Sequence, residues 1–305
     1  MFAPLTAFVR LSRLKFLVGG FVGGALGSAM AHDALGTFDG RAYAIAQTTI
    51  TAFHLMTHYA NDYFDRACDA RSVRTPYSGG SGALVDGSLR PAIALGAALA
   101  CAALGIAGTL ALATVAHATA AAGLALAIGA LAWAYSAPPF RLLARGLGEI
   151  DTALVVAVLV PLCAYAAQRP PIGALPSAIA STLPAAAAMF AMMLAVEFPD
   201  LASDAAGGKR NLVVRVGRAR ARGFGLAAAV LVYAATGVAL MLGAPPALAF
   251  LEAMSLPLAL GYARAFAVGA ASDAQTDETL AARGVAFFFV VSFFAMLAYV
   301  AAPRA

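Results

Sequence analysis

TTITAFHLMTHYANDYFDRACD, residues 48–69, is an uncharged run that ends in a row of acids. At ~100° per residue of helix, Asn61, Asp62, Asp65 and Asp69 fall at about 0°, 100°, 40° and 80°, inside one quadrant. Oxygen-bearing side chains crowded on one face at the border of an apolar segment repel each other. That arrangement is costly unless cations neutralise it. Oxygen-only ligands suit Mg²⁺, which keeps several waters and shares its sites with substrate phosphates.

The surroundings of this stretch are membranous. With 305 residues, 62% of them hydrophobic and only 11% charged, the chain has too little polar surface to cover a water-soluble globule. Apolar runs of about 20 residues cross ~30 Å of hydrocarbon at 1.5 Å per residue. Breaks at Gly, Pro and charged residues mark nine candidate spans, near 12–32, 41–60, 91–115, 117–136, 149–168, 177–196, 223–242, 246–268 and 283–302. The expected fold is an all-α membrane protein, a single domain over 1–305 with nine transmembrane helices.

Seventeen of the 20 Lys and Arg residues fall on the N-terminal side of these spans, leaving Arg41, Arg169 and Arg304 opposite. The positive-inside rule then places the N-terminus and the long linkers in the cytoplasm and the C-terminus outside. The net charge of +5 records orientation and headgroup contact, and nucleic acid is not an expected partner. A high Ala and Arg content suggests a bacterial inner membrane with the acids facing the cytoplasm. Basic residues, an apolar run and Ala29, Met30, Ala31 imitate a cleavable signal peptide, whose removal would take the first span and leave the remaining topology unchanged. Cys68, Cys101 and Cys163 lack CxxC spacing and read as packing residues.

A second acidic row follows the sixth span in EFPDLASDAAGGKR, residues 197–210. On a continuous helix Glu197, Asp200 and Asp204 fall within about 60° of each other. Pro199 between them suits a first helical turn or a kink. The second and sixth spans are separated by an even number, so both rows emerge on the same side. Spans 1–4 and 5–8 thus read as a tandem repeat of four-helix units with the ninth added, a pseudo-symmetry that places a site between halves. Two acidic walls holding Mg²⁺ would clamp a diphosphate and neutralise the charge that grows as a carbon–oxygen bond breaks. Lys209 and Arg210, just past the second row, are placed to stabilise the leaving group. Either row alone reads equally as a solvated charge cluster at a helix end.

At these residues the sequence resembles the UbiA superfamily of membrane prenyltransferases. The first row matches that family's NDxxDxxxD pattern in full. The second matches DxxDxxxD with Glu197 in place of the first Asp. The resemblance extends through Arg13 and Lys15, TPYSGGSGALVDGSL (75–89), YSAPPFRLLARGLGE (135–149), VPLCAY (160–165) and GKRNLVVRVG (208–217). Within the superfamily, SGGSG, YSAPP with RGLGE, and GKRNLVVRVG are most similar to the 1,4-dihydroxy-2-naphthoate polyprenyltransferase branch of menaquinone synthesis.

The resemblance implies Mg²⁺ ligands at Asn61, Asp65, Asp69, Asp200 and Asp204, assisted by Asp62 and Glu197. It implies transfer of a polyprenyl group from its diphosphate to a small aromatic acceptor, with Asp65, Asp69, Asp200 and Asp204 at the chemistry. Arg13 and Lys15 join Lys209 and Arg210 as expected diphosphate contacts. A Tyr and Lys pair of some members appears here as Tyr135 with Arg141 or Arg145, so Arg141 is a further expected contact. Motif spacing fixes the donor chemistry well and the acceptor poorly.

His58 and His54 lie on the face of the first row, one and two turns deeper. A buried His near carboxylates is placed to orient or deprotonate a phenolic acceptor, or to hydrogen-bond a neighbouring helix. An HxxxH transition-metal site fits poorly among hard oxygens. Gly79, Gly80 and Gly82 let the linker approach phosphate, with Arg74 pairing to it, or serve as a plain connector. Trp133 and Tyr135 read as interface anchors. Gly19, Gly20, Gly23, Gly24 and Gly27 read as a close-packing face. Rival readings keep the enzyme and change the acceptor to hydroxybenzoate, a sugar phosphate or none, as in terpene cyclisation. Another is a cation-coupled transporter, which places its acids at the bilayer midplane rather than at helix ends.

Overall fold

The computed structural model describes residues 3–72, 74–77, 79–268 and 274–302, and every regular element among them is a helix. In the first half of the chain, α1 (Ala3–Ser12) meets α2 (Leu14–Leu35) at Arg13, whose backbone is left-handed with φ 45°. Asp39 starts α3 (Gly40–Asp69) by accepting the Arg41 and Ala42 N–H groups, an ordinary Asp N-cap. Pro91 opens α4 (Pro91–Thr114), where its missing N–H costs nothing, and α5 (Thr119–Ser136) follows.

The second half opens with α6 (Gly148–Leu154), which runs through a π-helical turn at Val155–Leu159 into α7 (Val160–Ala167). Pro161 has no N–H to return to the preceding turn, and the wider turn absorbs that loss. Then come α8 (Leu175–Glu197), α9 (Leu201–Ala206), α10 (Leu212–Met241), α11 (Ala247–Met254), α12 (Leu256–Val268) and α13 (Ala274–Val300).

Among the described residues, seven helices are long and apolar enough to cross a membrane. The other two expected spans are helical but depart from that standard. α3 runs 30 residues, yet its inward face carries Gln47, Thr49, His58, Asp62 and Asp65, all buried, which lowers its apolarity. The segment 246–268 is divided at Ser255 into α11 and α12, neither long enough alone.

A second departure concerns the acidic row after α8. It is not one continuous helical stripe: Glu197 ends α8, Asp200 directly precedes α9, and Asp204 lies within α9. Pro199 removes a backbone donor and crowds the preceding turn, so the axis breaks there.

The two acid-bearing helices belong to different cores. α3 packs on α4 and α5, with Ile50, Phe53 and Met56 buried among alanines. α8 packs on α10 and α13, around Met189, Leu194, Tyr262 and Phe287. α2 lies across the seam, against α7 and α13. Its glycines make that possible. A methyl at Gly27 would overlap the Pro161 carbonyl, one at Gly23 would press on Val160, and one at Gly24 would enter the Gln47 amide. Gly27→Leu is therefore expected to destabilise the bundle by about 3 kcal/mol or more. Thermal unfolding in detergent checks it, and an unchanged melting temperature would mean that α2 and α7 separate at no cost.

Candidate active site

The first acidic row emerges where α3 outruns its apolar stretch, and the α8–α9 break turns the second row toward it. Asn61, Asp65 and Asp69 from α3 face Glu197, Asp200 and Asp204 across one cavity of about 410 Å³. Lys209 reaches both rows: its ammonium lies 3.4 Å from Asp65 and 3.7 Å from Asp204. Burial works against that ammonium, but the Asp65 and Asp204 carboxylates outweigh it and hold the pKa above the usual lysine range. Burial raises the Asp204 carboxyl to about 6, against the pull of Lys209.

The remaining polar groups are ordered around this pair. The Asn61 amide donates to Asp65 and to Ser136, each at 3.0 Å. Asn211, fully buried at the start of α10, donates to Asp204 at 2.8 Å and accepts the Val214 N–H at 2.9 Å. Its side chain thus caps a helix and fixes a carboxylate together.

The Gly-rich linker after α3 folds across the cavity. Gly79, Gly80 and Gly82 all have left-handed backbones (φ 77°, 67° and 74°), which only glycine adopts cheaply. A methyl on Gly80 would meet the Asp69 carboxylate, and one on Gly82 would meet the Arg74 guanidinium. The Gly79 N–H donates to Asp200 at 3.1 Å, so the linker joins first row to second. Lys15 donates to the Pro76 carbonyl.

Most expected site residues come together here. Arg13, Lys15, Arg74 and Lys209 line the cavity with five of the six acids. Asp62 does not: it is buried behind the wall, where Arg13 and the Ser81 hydroxyl and N–H take its oxygens. Its helical angle is right, but the linker claims it, so it anchors the lid rather than facing a metal. Arg141 and Arg210 are exposed and outside the cavity wall. Arg210 spends its backbone on Ala144 and Arg215. Arg141 has a left-handed backbone (φ 47°) and an exposed side chain.

A second chamber of about 240 Å³ continues from the first, sharing Arg13, Phe16, Asn61, Tyr77, Tyr135, Met193 and Val196 as common wall. It is largely apolar, and His54 and His58 line it rather than the acid-walled cavity. Tyr135 faces the site, and Trp133 packs edge-on against Phe64, with ring centroids 6.0 Å apart. Sequence reasoning missed Asp151, which lines the chamber, and Glu149, fully buried beside Glu197 and accepting the Leu212 N–H at 2.6 Å. The signal for both was visible as acids set inside the apolar fifth span.

The donor set fits a hard divalent cation. Both walls present carboxylate oxygen, and Glu197 receives no N–H or hydroxyl hydrogen bond on either oxygen. Lys209 stands between the rows as a monovalent counterpart. Among the described residues, no three His, Cys, Asp or Glu side chains converge to hold an ion by themselves. An ion here therefore completes its shell with water or substrate phosphate, the habit of magnesium.

An acid-walled cavity at the ends of apolar helices, continued by an apolar chamber, defines a membrane protein built for a molecule with a charged head and an apolar remainder. The UbiA prenyltransferase family profile matches residues 20–293, and the chain belongs to that family, a prenyltransferase by class. No curated protein sequence matches it significantly.

Solved structures share its fold at low identity. A digeranylgeranylglyceryl phosphate synthase aligns at 15% identity with TM-score 0.67, over 97% of this chain and 99% of its own. A UbiA homolog from Archaeoglobus fulgidus bound to GPP and Mg²⁺ aligns at 15% identity with TM-score 0.67, over 95% and 99%. The apo UbiA homolog from Aeropyrum pernix K1 aligns at 15% identity with TM-score 0.68, over 91% and 97%.

Proposed function

We propose that this chain transfers a polyprenyl group from its diphosphate to an aromatic acceptor, 1,4-dihydroxy-2-naphthoate or a related quinone precursor. The observation that carries this reading is the convergence of both acidic rows on one cavity that continues into an apolar chamber. Asn61, Asp65, Asp69, Glu197, Asp200 and Asp204 hold the metal, with Lys209, Arg13, Lys15 and Arg74 on the diphosphate. Magnesium, when bound with the substrate, neutralises the charge that develops on the departing diphosphate. The Lys209 ammonium and the guanidiniums supply preorganised positive charge at the same oxygens, which costs no reorganisation when the bond breaks.

The allylic carbon–oxygen bond breaks, the electron pair leaves with diphosphate, and an electron-rich ring carbon attacks the carbocation. The ring position then loses its proton to a base or to the released diphosphate. With dihydroxynaphthoate it loses carbon dioxide instead, and the product is the reduced diol, demethylmenaquinol. His58 orients the acceptor from the chamber wall, its Nδ1 held by the Ser12 carbonyl at 2.9 Å.

In the membrane, α3 and the α11–α12 pair complete nine spans, with the N-terminus and acids cytoplasmic in a bacterial inner membrane, by the distribution of Lys and Arg. The likeness to the dihydroxynaphthoate branch rests on SGGSG, YSAPP with RGLGE, and GKRNLVVRVG.

Radiolabelled farnesyl and longer polyprenyl diphosphates, offered with a panel of aromatic acids with and without Mg²⁺, test the proposal. Label transferred to dihydroxynaphthoate only with Mg²⁺ supports it. Label that stays in intact diphosphate with every acceptor overturns it. Transfer to hydroxybenzoate or a sugar phosphate alone reassigns the acceptor. In the same assay Gly80→Ala is expected to lower turnover about tenfold, because the left-handed backbone and the Asp69 carboxylate both resist the methyl. Unchanged turnover would mean that the linker's path over Asp69 is immaterial.

A further inference from the structure

We propose that the arginines of the loop before α6 and of the entry to α10 form a docking site for an anionic phospholipid, its phosphate on the guanidiniums and an acyl chain along α6. The inference goes beyond the prenyl-transfer reading, because none of these arginines lines either cavity.

Arg141 and Arg145 stand between α5 and α6, and Arg210 and Arg215 stand at the entry to α10. All four are exposed. The Arg210 N–H donates to the Ala144 carbonyl at 3.1 Å, and the Arg215 Nε–H donates to the Arg210 carbonyl at 2.9 Å, so the two segments are tied into one patch. Gly146 closes the contact. Its backbone is left-handed (φ 69°), and a methyl there would meet the Arg215 side chain lying across the turn. Arg145 is held on the same turn by donating to the Pro139 carbonyl at 2.9 Å.

Arg10, Arg13 and Arg218 each hold an aspartate, whereas among the described residues none of these four forms an ion pair. Their neighbour Glu149 is fully buried and spends an oxygen on the Leu212 N–H. Guanidiniums gathered without a counter-ion repel each other, and a phosphate relieves that repulsion through paired N–H donors.

The kind of phosphate follows from α6. Leu147, Ile150 and Leu154 are all exposed, and at ~100° per residue they fall at about 0°, 300° and 340°, on one face. That stripe begins two residues after Arg145 and continues into a helical run, Gly148–Ala167, long and apolar enough to cross a membrane. Charge at the border with an apolar track below it matches a lipid headgroup and its chain. A free phosphate or an acidic peptide would leave the track unused.

The test counts bound lipid. The purified full chain in dodecyl maltoside is given equimolar phosphatidylglycerol and phosphatidylcholine, and the lipids it retains are counted by native mass spectrometry. The wild type is expected to retain phosphatidylglycerol about tenfold more often, from the attraction of several arginines to one anionic headgroup. Arg145→Gln, Arg210→Gln and Arg215→Gln together are expected to erase that preference. Arg90→Gln, Arg264→Gln and Arg283→Gln remove the same charge elsewhere and are expected to keep it within about twofold. Should the first triple variant fail to fold, Arg210→Gln alone decides, since the contacts of Arg210 to Ala144 and Arg215 are made by its backbone; a loss of about threefold is expected.

No preference in the wild type overturns the inference, as does an equal loss in both triple variants, which would assign the preference to net charge alone. Displacement of phosphatidylglycerol by equimolar glycerol phosphate also overturns it, because the α6 track would then contribute nothing. Displacement by farnesyl diphosphate overturns it by giving the patch to the prenyl donor.

Discussion

Asp65→Asn and Asp204→Asn are each expected to lower prenyl transfer by roughly 100- to 1000-fold, the usual cost of removing one preorganised charge from a water-poor site. The two carboxylates come from opposite walls, and Lys209 reaches both, at 3.4 Å and 3.7 Å. Each Asn keeps the shape and gives up the charge that holds a cation near the diphosphate. Fold is expected to survive, because the amide still fills the same volume and Asn61 and Asn211 remain as partners. Turnover measured beside thermal unfolding separates the two effects. Activity within about threefold of wild type in a stable Asp65 or Asp204 variant would remove the metal-clamp account.

Lys209→Met has the second large effect, and it appears in stability as well as rate. The ammonium is mostly buried between carboxylates that are themselves nearly inaccessible, with side-chain exposures of 15% for Lys209, 6% for Asp65 and 5% for Asp204. Removing one partner of a buried pair leaves charge unbalanced, which costs about 3 kcal/mol at the lower end of the usual range, appropriate for a cavity that opens to water. In chelator the variant is expected to melt well below the wild type. Added Mg²⁺ should then restore more stability to the variant than it gives the wild type, because a divalent cation replaces the missing positive charge between the rows. Equal melting temperatures in chelator, or equal gains from Mg²⁺, would show that Lys209 does not balance the two rows.

Much of this site was legible in the chain itself because its chemistry is spaced at helical intervals. Asn61, Asp65 and Asp69 recur every four residues, close to one helical turn, which sets them on one face wherever the helix ends up. Their partners were harder to read. Glu197, Asp200 and Asp204 obey the same arithmetic, but Pro199 breaks the helix between them, and their meeting with the first row depends on how α9 turns back. Asp62 has an angle as good as its neighbours and still leaves the cavity, because Ser81 and Arg13 bind it from segments 19 and 49 residues away. Arg141 and Arg210 sit in motifs beside the site, yet both are exposed and outside its wall.

What the amino-acid order determines by itself is solvent and period. A chain 62% hydrophobic must hide in lipid, its helices must satisfy their own backbone groups, and its two acidic rows stand where apolar runs stop. What only the packed bundle decides is which of those acids share a space. Glycines along α2 let three helices close up, two separate cores set α3 and α8 face to face, and a linker of left-handed glycines spans the gap. Those contacts join residues far apart in the chain, and local periodicity carries no information about partners that meet only after the chain has folded.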